Sequence, residues 1–555
     1  MPYQDQKLSG LQGLNEDETS DQLGPLELTE ALNTCRFGSS YGTRPGLAFE
    51  AAGTGNYSAT VAAGLVQGGT EFGVRNNTTD NWLVSVVNGN VYYDSGSGAL
   101  VKTGVTISAT GRWTFAQYNG SLYGAGGANN DRVWKWTGAA ADALSPVTFE
   151  SDTNADGIAD TLIDAKYVLE KWNYGFLAGM NDTAADNNPM VVRYSSLGDL
   201  DTWPVGNTIG GSSAIGGFDS YGGNAITGLA EFSAGGREWV LVLTQKRIYS
   251  VIQLPDPETP FHVDDTIANG CVAQQAFVSL GVDSGDAIYL SRKGIHSLRQ
   301  SQQFGGREDA FLSWKVRQAF NTANFTTIQN SSGVYWEKEG LVLFAIPTGS
   351  STWPDLVLCL DIKGIEELSA RTARWSFWRP SLGAGVGITS LFICKDASTA
   401  LEYVYLGTTD GKVCRFQRIV YDDLGNAYIA KFRTKDEDFG VPRNDKGVGD
   451  MLTTLRFTAR GSTIQYQTVF NRGTKQGSVR TLALSGSQAL WDSARWDQDI
   501  WGSAVQETER KIYGTGSGRT ISHRFSCANR DEPFFLIELG YQVDLRDESL
   551  ERQAT

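Results

Sequence analysis

Short strand–turn–strand patterns recur along most of this chain, and they constrain its fold more than any other feature. In each pattern, two runs of apolar, aromatic or β-branched residues flank a polar turn that usually holds glycine. Seven copies begin at Asn81, Gly120, Trp172, Arg237, Asp286, Gly333 and Glu402. The starts lie 39 to 69 residues apart, and a propeller blade takes about 40 to 50 residues before insertions. The spacing favours a β-propeller, although a string of β-sandwiches or barrels would contain similar hairpins.

The hairpins stop near residue 420, and a different pattern follows. Strands with strict alternation of polar and apolar residues resume at Met451, Thr463 and Glu532, as is typical of an antiparallel sheet with one solvated face. We therefore expect an all-β fold with little helix. Its parts are a β-propeller core with inserted loops in residues 51–435 and an appended antiparallel β-domain in residues 436–555.

Residues 1–50 differ from the rest of the chain. The first 30 residues hold seven acids and one base and few apolar side chains, so we expect them to order only against a partner. This segment is predicted to be an N-terminal docking arm.

The composition argues against several classes of protein. A formal net charge of −15 does not suit a surface that holds nucleic acid through its phosphates. No run of 18 apolar residues occurs and the N-terminal residues are acidic, so we expect neither membrane insertion nor a signal peptide. Only three His are present, and no common nucleophile, P-loop or dinucleotide-binding motif occurs. We therefore expect that the protein is not an enzyme.

One acidic segment has the spacing of a calcium-binding loop. Such a loop needs oxygen ligands at alternate positions and a glycine at the sixth, where Gly157 stands. Ile163 replaces the usual bidentate Glu at the twelfth position, so the segment resembles the short loops of extracellular repeat proteins more than an EF-hand. The alternative is a solvated loop stabilised by its own turn hydrogen bonds. The predicted Ca²⁺ ligands are the side chains of Asp152, Asn154, Asp156 and Asp160 and the carbonyl of Ile158.

Tryptophan recurs every five residues at Trp491, Trp496 and Trp501. This period matches neither a strand nor one face of a helix, so we expect the segment to lie over a surface. A subunit interface is favoured because Trp is enriched at buried interface centres. Packing within the chain and stacking on carbohydrate are the alternatives.

Three motifs in the first 50 residues carry the most specific signal. They are Leu8-Ser-Gly10-Leu-Gln-Gly13-Leu14-Asn15, Leu28-Thr29-Glu30-Ala31-Leu32-Asn33 and Tyr41-Gly42-Thr43-Arg44-Pro45-Gly46. Their order resembles the start of tail tubular protein B, the nozzle of short-tailed bacteriophages, and of the related packaged-DNA stabilisation proteins. Weaker similarities follow in residues 195–204, 243–249 and 288–295, and the Trp repeat resembles the C-terminal part of such proteins.

The resemblance implies a β-propeller with appended β-domains, a homohexameric ring and no defined catalytic residues. It implies a virion protein, assembled in the host cytoplasm, at the distal end of a tail tube. There it would retain and then conduct genomic DNA, next to an upstream tail adaptor protein and tail fibres. Double-stranded DNA would pass through the lumen without specific binding, which suits an acidic wall that repels phosphates.

Two questions stay open at this point. The stretch Gly206 to Gly223 holds no Lys or Arg and one acid, Asp219, so it suits either a loop that narrows the channel or an outer surface loop.

The chain as a whole also suits a carbohydrate-binding or carbohydrate-active propeller, such as a receptor-binding tail protein or a glycosidase. That function would place acids beside aromatic residues on the loops of one propeller face.

Overall fold

The computed structural model describes most of the chain, and nearly all of its regular structure is β-strand. The described residues are 4–48, 63–73, 81–94, 100–126, 133–138, 145–146, 165–179, 191–204, 208–209, 225–267, 269–281, 284–299, 310–365, 367–396, 401–458, 461–484 and 505–545. Helical segments are short and include the α-helix Arg317–Asn321 and the 3-10 turns Gln274–Ala276, Leu312–Val316, Ile328–Asn330, Glu337–Glu339 and Asn471–Gly473.

Small antiparallel sheets follow one another along the first two thirds of the chain and form propeller blades. Blade 1 contains Val66–Gly73, Asn81–Val87, Asn90–Asp94 and Val101–Thr106. Blade 2 contains Trp113–Tyr118, Ser121–Gly126, Trp134–Trp136 and Ser145–Pro146. Blade 3 contains Tyr167–Lys171, Tyr174–Ala178, Val192–Tyr194 and Thr208–Ile209. Blade 4 contains Ile226–Ala234, Arg237–Thr244, Ile248–Gln253 and Phe261–Ile267.

Three further blades complete the propeller. Blade 5 contains Phe277–Ser279, Ala287–Ser291 and Gly294–Ser297. Blade 6 contains Ser332–Trp336, Leu341–Ile346, Leu356–Asp361 and Arg374–Trp378. Blade 7 contains Ile388–Lys395, Glu402–Thr408 and Val413–Gln417, and its fourth strand is Gly46–Ala48 from the N-terminal segment.

The blades close into a seven-membered ring. The first strand of each blade contacts the first strand of the next, and Ile388–Lys395 of blade 7 contacts Val66–Gly73 of blade 1. Each of the seven hairpins found in the sequence lies in a different blade, so the predicted all-β propeller fold is confirmed. Gly46–Ala48 pairs antiparallel with Val413–Gln417 and thereby ties the N-terminal segment to the last blade.

Aromatic side chains fill the spaces between neighbouring blades. Between blades 1 and 2, for example, Phe72 and Trp82 pack against Trp136, with ring centroids 5.5 and 6.0 Å from it. Each blade presents one apolar face to each neighbour, so the ring buries the faces that an isolated four-stranded sheet would expose.

The remaining strands form a β-sandwich beside blade 6. One sheet of the sandwich, the outer sheet, contains Thr34–Phe37, Ser40–Thr43, Phe534–Leu545, Lys446–Thr458 and Val505–Tyr513, with Gln4–Ser9 and Ser517–Gly518 at its margins. The other contains Leu28–Leu32, Ala430–Thr434, Ile521–Cys527, Ser462–Phe470, Lys475–Gln476 and Arg480–Leu484. Apolar residues of the two sheets share one core.

The N-terminal segment joins the propeller to the sandwich. Leu28–Leu32 pairs parallel with Arg374–Trp378 of blade 6 at Leu32 and antiparallel with Ala430–Thr434 of the sandwich. One ten-stranded sheet therefore runs from blade 6 into the sandwich. We expected residues 1–50 to be a docking arm that needs a partner, whereas residues 4–48 find their partners within this chain. The propeller strands end at Gln417, and Ala430–Thr434 already belongs to the sandwich.

Candidate functional site

The junction between propeller and sandwich contains all three N-terminal motifs and is therefore the candidate functional site. Its centre is Arg44, whose side chain is completely buried together with that of Asp423. Arg44 Nη2 lies 2.6 Å from Asp423 Oδ2, and Nη1 lies 3.0 Å from Oδ1, so the pair is bidentate. The guanidinium also lies 4.0 Å from the ring centroid of Tyr428, whose hydroxyl donates to the Arg44 carbonyl.

The surroundings of Arg44 compensate for its burial. Burial by itself would lower the pKa of Arg44, but attraction to Asp423 and Tyr428 raises it above its ordinary value. Arg44 Nε donates to Asn33 Oδ1 at 3.0 Å, and Nη1 donates to the Pro45 carbonyl at 2.7 Å. A buried ion pair is tolerable when its remaining donors and acceptors are satisfied in this way.

Asn33 links three parts of the junction. Its Nδ2 donates to the carbonyl of Ile429 at 2.9 Å, and its Oδ1 accepts hydrogen bonds from Arg44 and from the backbone N–H of Arg379. Its backbone has φ of 52°, a left-handed conformation that Asn tolerates better than most residues. The Asn that ends the second motif is therefore required both for its side chain and for its backbone.

Two glycines of the third motif allow close backbone contacts. A Cβ at Gly42 would overlap the carbonyl oxygen of Phe534, and a Cβ at Gly46 would overlap that of Asp422. Gly42 lies in the outer sheet of the sandwich and Gly46 in blade 7. Gly42, Arg44 and Gly46 thus occupy alternate positions along the segment that passes from the sandwich to the propeller.

Backbone hydrogen bonds hold the first motif against blade 6. The backbone N–H of Leu14 donates to the carbonyl of Trp375 at 2.8 Å, and the N–H of Leu28 donates to the carbonyl of Gly13 at 2.8 Å. Asn15 Nδ2 donates to Glu27, which also pairs with Lys315 at 2.9 Å. Burial favours the neutral form of Glu27, but hydrogen bonds from Lys315 and Asn15 outweigh it and lower its pKa.

A groove of about 580 Å³ opens on the surface of this junction. It lies where the first two motifs, the helix Arg317–Asn321, blade 6 and the sandwich meet, and we call it the junction groove. Among the described residues, its charged lining holds four cations and two acids, although the whole chain is acidic. These residues are Arg379, Lys431, Arg433, Arg524, Glu16 and Glu30.

The cations of the junction groove differ in their partners. Lys431 and Arg524 both pair with Glu30, and Arg433 pairs with the buried Asp436 at 2.6 Å. Arg379 is exposed and forms no ion pair with any described residue. The groove therefore keeps an excess of positive charge that suits an acidic partner.

The predicted calcium ligands belong to a part of the chain that the structure does not describe. Asp152, Asn154, Asp156, Ile158 and Asp160 lie outside the described residues. Within the described ranges, no group of three or more His, Cys, Asp or Glu side chains is arranged to hold a metal ion.

Two other segments lie partly or wholly outside the described ranges. The Trp repeat at 491–501 lies wholly outside them, and of the stretch Gly206 to Gly223 only residues 208–209 are described. Of that stretch, Thr208–Ile209 forms the last strand of blade 3, and Ile209 is buried.

The rare histidines and the cysteines are scattered through the structure. His262 is exposed in blade 4, His296 is buried in blade 5, and His523 is buried in the sandwich. All six Cys are buried, and none of them forms a disulfide bond. No helix in the described part of the chain is long and apolar enough to cross a membrane.

Comparisons with known proteins do not assign the chain to a family. No protein-family model matches the chain, and no curated protein matches its sequence. Among solved structures, it is similar to the crystal structure of BBS1N in complex with ARL6DN, soaked with mercury. The TM-score is 0.36 and the identity is 9%, over 68% of this chain and 98% of that one. A similarity at this level says nothing about the function of this chain.

Sequence reasoning missed the cations of the junction groove. They come from three distant parts of the chain, near residues 379, 431 and 524, and no local spacing connects them. The alternation of Lys431 and Arg433 along one strand was the only local signal.

Proposed function

We propose that this protein is a structural subunit of a phage virion, the nozzle at the distal end of a short tail. In this role six copies form a ring that first retains the genomic DNA and then conducts it during ejection. An upstream tail adaptor protein and tail fibres are its neighbours in the virion, and DNA passes through the lumen without specific binding. The protein performs no catalysis in this role.

The observation that carries the proposal is that residues of the N-terminal motifs form the packing and hydrogen bonds of the junction. The residues on which the resemblance to phage nozzle proteins rests are also residues that the junction requires, namely Gly13, Asn33, Gly42, Arg44 and Gly46. A fortuitous match would have no reason to fall on positions with such strict steric and hydrogen-bonding demands. A conduit also needs its domains fixed relative to one another, and the junction supplies that rigidity.

The acidic character of the chain supports the same role. Six copies would carry a large negative charge, since each has a formal net charge of −15. A negatively charged lumen repels phosphates over a distance of about 8 to 10 Å at physiological salt. DNA would therefore slide through the ring instead of adhering to its wall.

Electron microscopy of the purified full-length protein tests the proposal. We expect negatively stained rings with six-fold symmetry and a central pore wide enough for duplex DNA, and mass photometry should give a particle of six monomers. A monomer, or a trimeric fibre, would contradict the nozzle. Saturable binding of a host polysaccharide by such a monomer or fibre would support the carbohydrate-binding propeller instead.

A further inference from the structure

The strands of blade 6 end on two opposite sides of the propeller, and these sides differ in charge. Three antiparallel pairings separate its first strand, Ser332–Trp336, from its last strand, Arg374–Trp378, so these two strands run in opposite directions. Glu337 follows the first strand at one end of the blade, and Arg379 follows the last strand at the other. A five-residue strand is about 17 Å long, and neighbouring strands lie about 4.8 Å apart. Glu337 and Arg379 of one chain therefore cannot contact each other.

The end of blade 6 that holds Arg379 is basic, and the junction groove opens there. Lys431 lies two strands across from Phe377 at the same level of the sheet, and Arg379 follows Phe377 by two residues. Lys431 shares Glu30 with Arg524, whereas Arg379 is exposed. Among the described residues, these three cations have one ion-pair partner between them. The groove therefore presents positive charge that a second acidic surface would neutralise.

The opposite end of blade 6 is acidic, together with the adjoining ends of blades 7 and 1. Glu71 Oε2 accepts a hydrogen bond from the backbone N–H of Lys395 at 2.8 Å, and Lys395 lies opposite Glu402 in blade 7. Burial raises the pKa of Glu402, and repulsion by Glu337 and Glu71 raises it further against the opposing effect of Lys395. None of the three acids forms an ion pair within the described ranges. Leu401, next to Glu402, is 40% exposed. We call Glu71, Glu337, Leu401 and Glu402 the acidic patch.

We propose that copies of this chain bind head to tail, with the junction groove of one copy against the acidic patch of the next. The inference rests on the proposed ring and names the surfaces that build it. A contact between two different surfaces repeats in one direction and forms a closed ring when the rotation between copies closes. Two grooves or two patches would repel each other, so the charges also select the correct pairing. Leu401 in the patch and Phe377 in the groove add apolar surface to the contact.

Mixing two charge-reversal variants of the full-length protein tests the contact. R379E reverses a charge of the groove and E337K reverses a charge of the acidic patch, so each variant alone places like charges across every contact. Because like charges at an interface are strongly unfavourable, we expect each alone to need about tenfold or more protein for half-assembly in mass photometry. An equimolar mixture should form rings at about the wild-type concentration, since opposite charges again meet at each contact. With a mass tag on one variant, the mixed rings should contain the two in equal amounts.

The matched control is E509K, which makes the same charge change as E337K on the edge strand Val505–Tyr513 of the sandwich. Glu509 is exposed and belongs to neither surface, so E509K should assemble like the wild type. Arg379 and Glu337 are exposed as well, and neither reversal buries a charge. Melting temperatures confirm that each variant is folded. If a reversal lowers the melting temperature, the neutral variants R379Q and E337Q replace the pair and should each weaken assembly in the same direction.

The outcomes separate this inference from the proposed function. A wild-type protein that stays monomeric at every concentration would overturn both. Wild-type rings together with R379E and E337K rings that form as readily as E509K rings would overturn the head-to-tail contact and leave the nozzle standing. Loss of rings in both variants without recovery in the mixture would also overturn the contact, because the two surfaces would then not meet each other.

Discussion

At the scale of single residues, Arg44 shows how a short motif acquires a structural meaning. In the sequence, Arg44 is one of 47 Lys and Arg residues. Only the resemblance to phage nozzle proteins distinguishes it from the others. The structure buries it completely against Asp423, with Asn33 and Tyr428 completing its surroundings. The identity of these partners was not predictable, since Asp423 lies 379 positions away.

Replacing Arg44 should be strongly destabilising. R44M leaves the Asp423 carboxylate buried without its cation, which typically costs about 3–5 kcal/mol. The double variant R44M/D423L should be less destabilised than R44M because no unpaired charge remains. Denaturant unfolding followed by tryptophan fluorescence measures both changes.

The matched control for Arg44 is an exposed ion pair of the sandwich. Lys7 and Glu538 lie 2.8 Å apart, and their side chains are 64% and 37% exposed. K7M should change the free energy of unfolding by about 1 kcal/mol or less. A comparable loss in K7M and R44M would show that the buried pair has no special role.

Two buried histidines predict a dependence of stability on pH. Burial lowers the pKa of His523 to about 3 and that of His296 to about 4, whereas an unfolded chain has an ordinary His pKa of about 6.5. The unfolded state therefore binds more protons between these values. The stabilisation is complete above about pH 6.5 and is lost as the pH falls, by up to about 1.4 kcal/mol per pH unit for each His.

Melting temperatures between about pH 4.5 and 7.5 test this dependence. The wild-type curve should fall more steeply on acidification than that of H523Q, in which the titrating group is absent. H262Q is the control, because His262 is exposed, and it should follow the wild type. Parallel curves for wild type and H523Q would mean that other groups cause the loss.

Calcium binding stays a prediction about five residues of one loop. If Asp152, Asn154, Asp156 and Asp160 and the carbonyl of Ile158 hold Ca²⁺, D156A should lower the melting temperature in calcium and leave it unchanged in chelator, because the ion stabilises only the state that binds it. D186A removes an acid from another acidic segment and should behave as wild type in both buffers. Equal melting of the wild type with and without calcium would exclude the site.

At the scale of elements, the hairpins of the blades were predictable from the sequence. The fourth strand of blade 7, Gly46–Ala48, was not. A hairpin is a local structure whose turn residues and apolar runs lie within about 15 residues, as in the Asp410-Gly411 turn of blade 7. Gly46–Ala48 is three residues long and pairs with a strand at residues 413–417. No pattern in so short a segment indicates a partner that far along the chain.

The N-terminal segment should be essential for the stability of the isolated protein. The sequence alone suggests that a chain without residues 1–46 keeps a soluble propeller. The structure leads us to expect the opposite, because this deletion removes Arg44 and the strand Leu28–Leu32 that joins blade 6 to the sandwich. We expect the truncated chain to aggregate or to melt at a markedly lower temperature in differential scanning fluorimetry.

A shorter deletion serves as the control for this experiment. Removing residues 1–9 takes away only the marginal strand Gln4–Ser9, most of whose side chains are not buried, and should have a small effect. If the chain without residues 1–46 melts like the one without residues 1–9, the N-terminal segment is not required for the fold.

At the scale of the whole molecule, charge is distributed unevenly. The chain carries 62 acids against 47 bases, yet the described lining of the junction groove holds four cations and two acids. This contrast was not predictable from composition, because Lys431, Arg433 and Arg524 lie on two paired strands of the sandwich and Arg379 follows the last strand of blade 6. A basic groove on an acidic protein is complementary to the acidic surface of a second copy.

The last prediction concerns the ring. If subunits contact one another through the junction groove, the exposed Arg379 should take part in the contact, because no described residue neutralises it. R379E should therefore reduce the fraction of hexamers in mass photometry and leave the melting temperature of the monomer unchanged. R237E reverses a charge at an exposed hairpin of blade 4 and should assemble normally. Raising the salt concentration should weaken the wild-type ring, since screening acts on charges at the rim of an interface. If R379E rings form as readily as wild-type rings, the groove faces away from the subunit contact and would be free for another acidic partner, such as the tail adaptor protein.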